Sequence, residues 1–162
     1  MPTVNRRRVI SFLLRGPGAL QSPLARVAVL VPAGTGGGFL VWSAVIHLKL
    51  WATGYRDISV IGPLFLAQGI AAIAIGVAVV ALRRLAVLAT GAMLAVATAA
   101  GLLISVHVGL FGFVESLAVP YATLSLAVEF TAGFVLLAGA VLLAVAARVK
   151  AAGEPAQVAS RR

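Results

Sequence analysis

Three ionisable residues, His47, His107 and Glu129, interrupt otherwise apolar stretches of this 162-residue chain. An ionisable side chain within hydrocarbon is costly, so each marks a candidate functional site. A histidine beside a carboxylate can hold a proton, and the pair can bind a divalent metal. Two histidines on facing helices can ligate the iron of haem b. A desolvated carboxyl such as Glu129 can also carry a proton or bind a cationic or quinone-like ligand. Ser43 and Gln68 are polar neighbours within the same stretches. No paired carboxylates, nucleophile–base arrangement, HExxH-type metal spacing or phosphate-binding glycine loop accompanies them, which favours a non-enzymatic role. The GTGGG run over Gly34 to Gly38 falls inside an apolar stretch and reads as helix packing rather than phosphate binding.

The elements that must position these groups follow from composition. Hydrophobic residues make up 62% of the chain and charged residues only 10%, with a mean hydropathy of +1.11. Soluble domains carry about 25% charged residues, so the chain lacks the polar surface to stay in water. Four spans are predicted, over 27–50, 58–82, 85–110 and 121–147, each long enough to cross hydrocarbon. Short connections imply neighbours of opposite direction. The expected fold is all-α: an integral membrane four-helix bundle with antiparallel up-down topology over 26–148. A basic N-terminal segment (1–25) precedes it, and a small, polar tail (149–162) expected to be disordered follows. Pro63 and Pro120 read as helix entries, whereas Pro32 is expected to kink the first span. The absence of cysteine excludes disulfides and thiolate chemistry.

Basic residues orient the bundle. Eleven lie in the N-terminal segment, the connection at Arg83 and Arg84, and the tail; only Lys49 and Arg56 lie on the other side. The positive-inside rule then places both termini in the cytoplasm and the protein in the cytoplasmic (inner) membrane. The net charge of +9 is mostly this topological signal, so nucleic acid is not an expected partner; the lipid bilayer is. The segment from Arg6 to Arg15 is either an interfacial element on anionic headgroups or a basic tail. Its apolar run is too short for a cleaved signal peptide.

Depth and helical phase sort the polar groups. At 1.5 Å per residue, His47 and His107 lie roughly 5 Å below the outer edge, Ser43 about 10 Å, Glu129 about 12 Å and Gln68 about 14 Å. All therefore occupy one half of the bilayer. His47 shares a face with Ala33, Gly36, Leu40, Ser43 and Ala44; Glu129 shares one with Ala122, Ser125, Ala132, Gly133 and Ala140. Small residues let transmembrane helices approach closely, so both groups should face inward, and Gly34 with Gly38 adds a GxxxG spacing beside the first stripe. The same small faces offer contacts for a second copy or a membrane-protein partner. His107 lies nearly opposite Ser105 on its helix and should face lipid or headgroups. Gln68 should flank any cavity. Trp51 and Tyr55 suit an interfacial aromatic belt. Lys49, Arg56, Asp57 and Glu115 form a charged collar, either solvated or gating the cavity.

The run HLKLWATGYRDISVIGPLFLAQ from His47 to Gln68, followed by GLFGFVES from Gly109 to Ser116, resembles a group of uncharacterised actinobacterial four-transmembrane-helix proteins. An arginine- and alanine-rich composition agrees with a GC-rich genome. The resemblance implies the four spans and brings no biochemistry with it; in span number and size the chain is also loosely DoxX-like. Three functions stay open. The first is an accessory or ligand-binding membrane protein with an outward-facing polar pocket formed by His47, Glu129, Gln68, Ser43 and Arg56. The second is a redox protein holding haem at His47 and His107, or quinone near them. The third is a proton-coupled small-molecule transporter using Glu129.

Overall fold

The computed structural model describes residues 23–159 and, ahead of them, residues 10, 11, 13 and 14. It is all-α, with four long helices: α1 (Pro23–Leu50), α2 (Ile61–Leu82), α3 (Leu85–His107) and α4 (Ala122–Ala159). A π-helical turn, Trp51–Tyr55, extends α1 and is closed by the Arg56 N–H donating to the Trp51 carbonyl at 3.1 Å. The expected surface element from Arg6 to Arg15 lies largely outside the described residues. Within it, Leu14 N–H donates to the Ile10 carbonyl at 3.0 Å.

All four helices are long and apolar enough to cross a membrane. Less than half of each span is buried within the chain, falling to 22% for α2. The remaining faces present large apolar side chains, among them Ile70 and Val77 on α2, Met93 and Val96 on α3, and Phe134 and Val141 on α4. Such a surface suits lipid, where exposed leucine costs nothing, and not water.

Three ends differ from the sequence expectation. The third helix stops at His107 rather than Leu110, because Gly109 adopts φ +83° and turns the chain back. The first helix begins at Pro23 and runs through Pro32, whose ring packs where Gly139 leaves room. The backbone of α4 continues to Ala159, whereas the tail from 149 was expected to lack structure. Ala151, Ala152, Ala156 and Ala159 favour the helix there, and Gly153 and Pro155 in the same stretch oppose it.

Close backbone approach sets the packing. At the crossing of α1 and α2, a Cβ on Gly37 would lie 2.9 Å from the Gly76 carbonyl oxygen, and one on Gly76 would lie 2.9 Å from that of Gly37. Gly36 leaves room instead for Leu136 of α4. The expected GxxxG pair does not make this contact: both Gly34 and Gly38 face open space. The face is chosen by the stripe through Ala33, Leu40 and Ala44, and Gly36 and Gly37 are the glycines turned inward with it. The core therefore runs through Val29, Ala33, Leu40, Val79, Leu88, Ala132, Leu136 and Leu143. Helix α1 packs on α2 and α4, and α3 packs on α4. Although only two residues join them, α2 and α3 touch least of the chain-adjacent helices.

Candidate ligand site between the second and third helices

The gap between α2 and α3 is a cavity of about 440 Å³, within the range of small-molecule sites and in a place where bundles commonly hold ligands. Leu64, Phe65 and Gln68 of α2 line one wall, and Leu94, Thr98 and Gly101 of α3 line the facing one. His47, Ser125 and Glu129 line it from α1 and α4. Most of the lining is apolar, so the expected polar pocket is an apolar cavity with a few polar groups on its wall. Tertiary geometry decides this, because the divergence of α2 and α3 brings their leucines and alanines to the opening.

Helical spacing assembles the polar wall. Ser43 and His47 stand one turn apart on α1, and Ser125 and Glu129 one turn apart on α4. His47 Nδ1 lies 2.9 Å from the Ser43 carbonyl oxygen. A carbonyl only accepts, so Nδ1 is the protonated nitrogen. Glu129 is 1% exposed, and its Oε1 accepts from the Ser43 hydroxyl at 3.2 Å and the Ser125 hydroxyl at 3.1 Å. His47 Nε2 lies 3.8 Å from the same oxygen, an ion-pair separation beyond hydrogen-bond reach. Glu129 Oε2 has no partner, nor has Gln68 Nε2, and both atoms are buried. Orphaned buried polar atoms are rare in folded chains and call for a reason.

Aromatic rings build the wall beside His47. Phe65 lies 5.0 Å from His47 and stacks on Tyr55 at 4.7 Å, while Phe113 meets Tyr55 edge-on at 5.8 Å. Tyr55 donates to Glu115 Oε2 at 2.6 Å and so ties the segment after α1 to the segment before α4. A tight turn aims Phe113 inward. Leu110 and Phe113 exchange backbone hydrogen bonds of 2.8 and 3.0 Å, with Phe111 at φ +52° and Gly112 at φ +80° between them. Positive φ at both central residues is the hairpin geometry that favours glycine. Ser105 then donates to the Phe113 carbonyl at 3.1 Å.

Of the five residues expected at a ligand site, His47, Gln68 and Glu129 line the cavity and Ser43 bonds Glu129 from behind. Arg56 does not line it. It follows the π-turn, stands exposed and pairs with Asp57 at 3.4 Å. Among the collar residues, Lys49 donates instead to the Tyr121 hydroxyl. His107 is exposed and donates Nδ1–H to the Leu103 carbonyl at 2.8 Å. The structure does not bring it to His47, so the two do not form an axial pair for haem iron within the cavity. Among the described residues, no three His, Asp or Glu side chains cluster as metal ligands would. Phe65 and Phe113 escaped the sequence reading. The FG turn before Phe113 was the available signal.

The chain matches no family model, no curated protein and no solved structure.

Tyr55→Phe tests the tie between the two segments. The ring stack survives this change and only the bond to Glu115 is lost, at a cost of about 1–2 kcal/mol for a hydrogen bond to a charged group. Hydrogen exchange in detergent should quicken over 110–119 and leave α1 unchanged.

Proposed function

We propose that the protein is a multi-pass protein of the cytoplasmic membrane that binds a small amphipathic ligand in the cavity between α2 and α3. In this reading the helices alternate in direction, both termini are cytoplasmic, and the cavity opens toward the outer face. The observation that carries it is the combination of a ligand-sized apolar cavity with two buried, unpartnered polar atoms, Glu129 Oε2 and Gln68 Nε2. An apolar body would be held by Leu64, Leu94 and Phe65, and a polar head would take the free amide and carboxyl groups. A quinone is one chemistry that such a wall accommodates through Gln68, without any part for His107.

Binding is tested with triphenylphosphine oxide, a neutral apolar molecule carrying one strong acceptor. Equilibrium dialysis against protein in lipid nanodiscs should show saturable uptake of one molecule per chain above that of empty nanodiscs. Uptake no greater than the empty discs contradicts the reading.

Orientation has a separate test, because the natural chain contains no cysteine. Arg56→Cys should react with an impermeant maleimide on intact cells, whereas Arg148→Cys should react only after the membrane is breached. The reverse pattern would invert the topology.

A further inference from the structure

We propose that the cavity takes a lipophilic organic cation, whose entry displaces a proton carried by the His47–Glu129 pair. This rests on the ligand-binding reading above and adds the class of ligand and its exchange for a proton.

Charge distribution points to a cation. The chain has thirteen Lys and Arg residues against four Asp and Glu. Yet two of those four acidic residues, Glu115 and Glu129, line the cavity, and among the described residues no Lys or Arg does. A strongly basic protein has here a cavity with the opposite balance. Apolar walls exclude a small hydrated ion and suit a cation whose charge is spread over a greasy body. The rings of Phe65, Tyr55 and Phe113 line the same cavity, and aromatic rings attract cations where water is excluded. At depth, Glu129 Oε2 is the buried acceptor with no partner of its own.

Hydrogen-bond geometry supplies the proton. His47 Nδ1 already carries the hydrogen that it gives to the Ser43 carbonyl. Its Nε2 lies 3.8 Å from Glu129 Oε1, too far to share a hydrogen, so a further proton sits either on Nε2, making an ion pair, or on the carboxyl group. Two acceptors in a low-dielectric wall repel, so the pair is built to hold that proton on one side or the other. Ser43 of α1 and Ser125 of α4 donate to Glu129, and His47 of α1 stands at ion-pair distance; the other polar groups of the cavity wall on the packed helices are Gln68 of α2 and Thr98 and Ser105 of α3. Glu115 and Tyr55 stand at the loop end of the cavity and are bonded to each other. Among the described residues, His47 is thus the one titratable group beside Glu129 that can become cationic. An arriving cation replaces the proton as the carboxylate's counter-charge, and the balance is one charge in and one proton out.

The test compares tetraphenylphosphonium, a permanent cation, with neutral triphenylphosphine oxide on protein in nanodiscs. The cation should bind at one site per chain, more tightly than the neutral probe at pH 8. Its affinity should rise by up to about tenfold per pH unit while a proton is being displaced, and weakly buffered calorimetry should record one proton released per cation. Glu129→Gln should weaken the cation at least about tenfold and remove its pH dependence. Should that variant fail to fold, the pH dependence and proton count of the wild-type protein decide alone. Cation affinity that is independent of pH, or no tighter than that of the neutral probe, overturns the cation inference and leaves the cavity reading standing. Binding of neither probe overturns both.

Discussion

Gly37→Val should separate α1 from α2 and leave the protein unfolded or grossly destabilised in mild detergent. The added Cβ would meet the Gly76 carbonyl oxygen at 2.9 Å and Val80 Cγ2 at 2.8 Å. A valine methyl can swing aside, but a helical carbonyl cannot, so the helices themselves must move. Overpacking of this kind costs roughly 1–3 kcal/mol or more. The loss would spread, because Leu40 of α1 contacts the positions of both Gly76 and Gly91 and so couples the α1–α2 crossing to α3. Gly34→Val is the control. It lies in the same GTGGG run with nothing within 4 Å of its Cβ position, and its thermal midpoint should match the wild type. Equal damage from the two substitutions would show that the run is sensitive as a sequence and not through the Gly37–Gly76 contact.

The second large effect is expected at Gly101, on the α3 wall of the cavity. A Cβ there meets nothing within 4 Å, so Gly101→Phe can enter the open space without displacing a neighbour. Its ring would occupy the volume between Leu94, Thr98 and Gln68 that a ligand needs. The substitution should abolish binding while the helices stay folded, the opposite pairing of effects from Gly37→Val. Ala100→Phe places the same ring one residue away, on the exposed side of α3, and should leave binding intact.

Much of this was legible in the sequence because hydrocarbon imposes simple rules. Runs of Ala, Val, Leu and Ile at span length gave four helices, with errors confined to their ends. Helical phase placed His47 and Glu129 on small, buried faces and His107 on an exposed one, since a period of 3.6 relates each to its neighbours without knowledge of the other helices. Ser43 and Ser125 were visible for the same reason, each lying four residues before the group it serves. Arg56 was not, because the direction in which its side chain leaves depends on a π-turn that local pattern does not announce. Gly36 was already on the inward stripe, but that Gly37 rather than the GxxxG pair Gly34 and Gly38 makes the close crossing depends on which face α2 covers. The cavity itself was hidden for a deeper reason. It arises where two chain-adjacent helices diverge, and the residues lining that gap (Leu64, Ala71, Leu94, Ala97) are indistinguishable in type from those facing lipid. Phe65 and Phe113 become wall residues only once Tyr55 and Glu115 join their segments.

The central claim is that the space between α2 and α3 is a ligand site, and the Gly101 and Ala100 pair tests it most directly. Dialysis of triphenylphosphine oxide against nanodisc-embedded wild-type, Gly101→Phe and Ala100→Phe protein isolates the cavity from general partitioning into lipid. Saturable binding to the wild type and to Ala100→Phe, lost in a folded Gly101→Phe, is the predicted result. Undiminished binding to Gly101→Phe would place the ligand elsewhere and contradict the account.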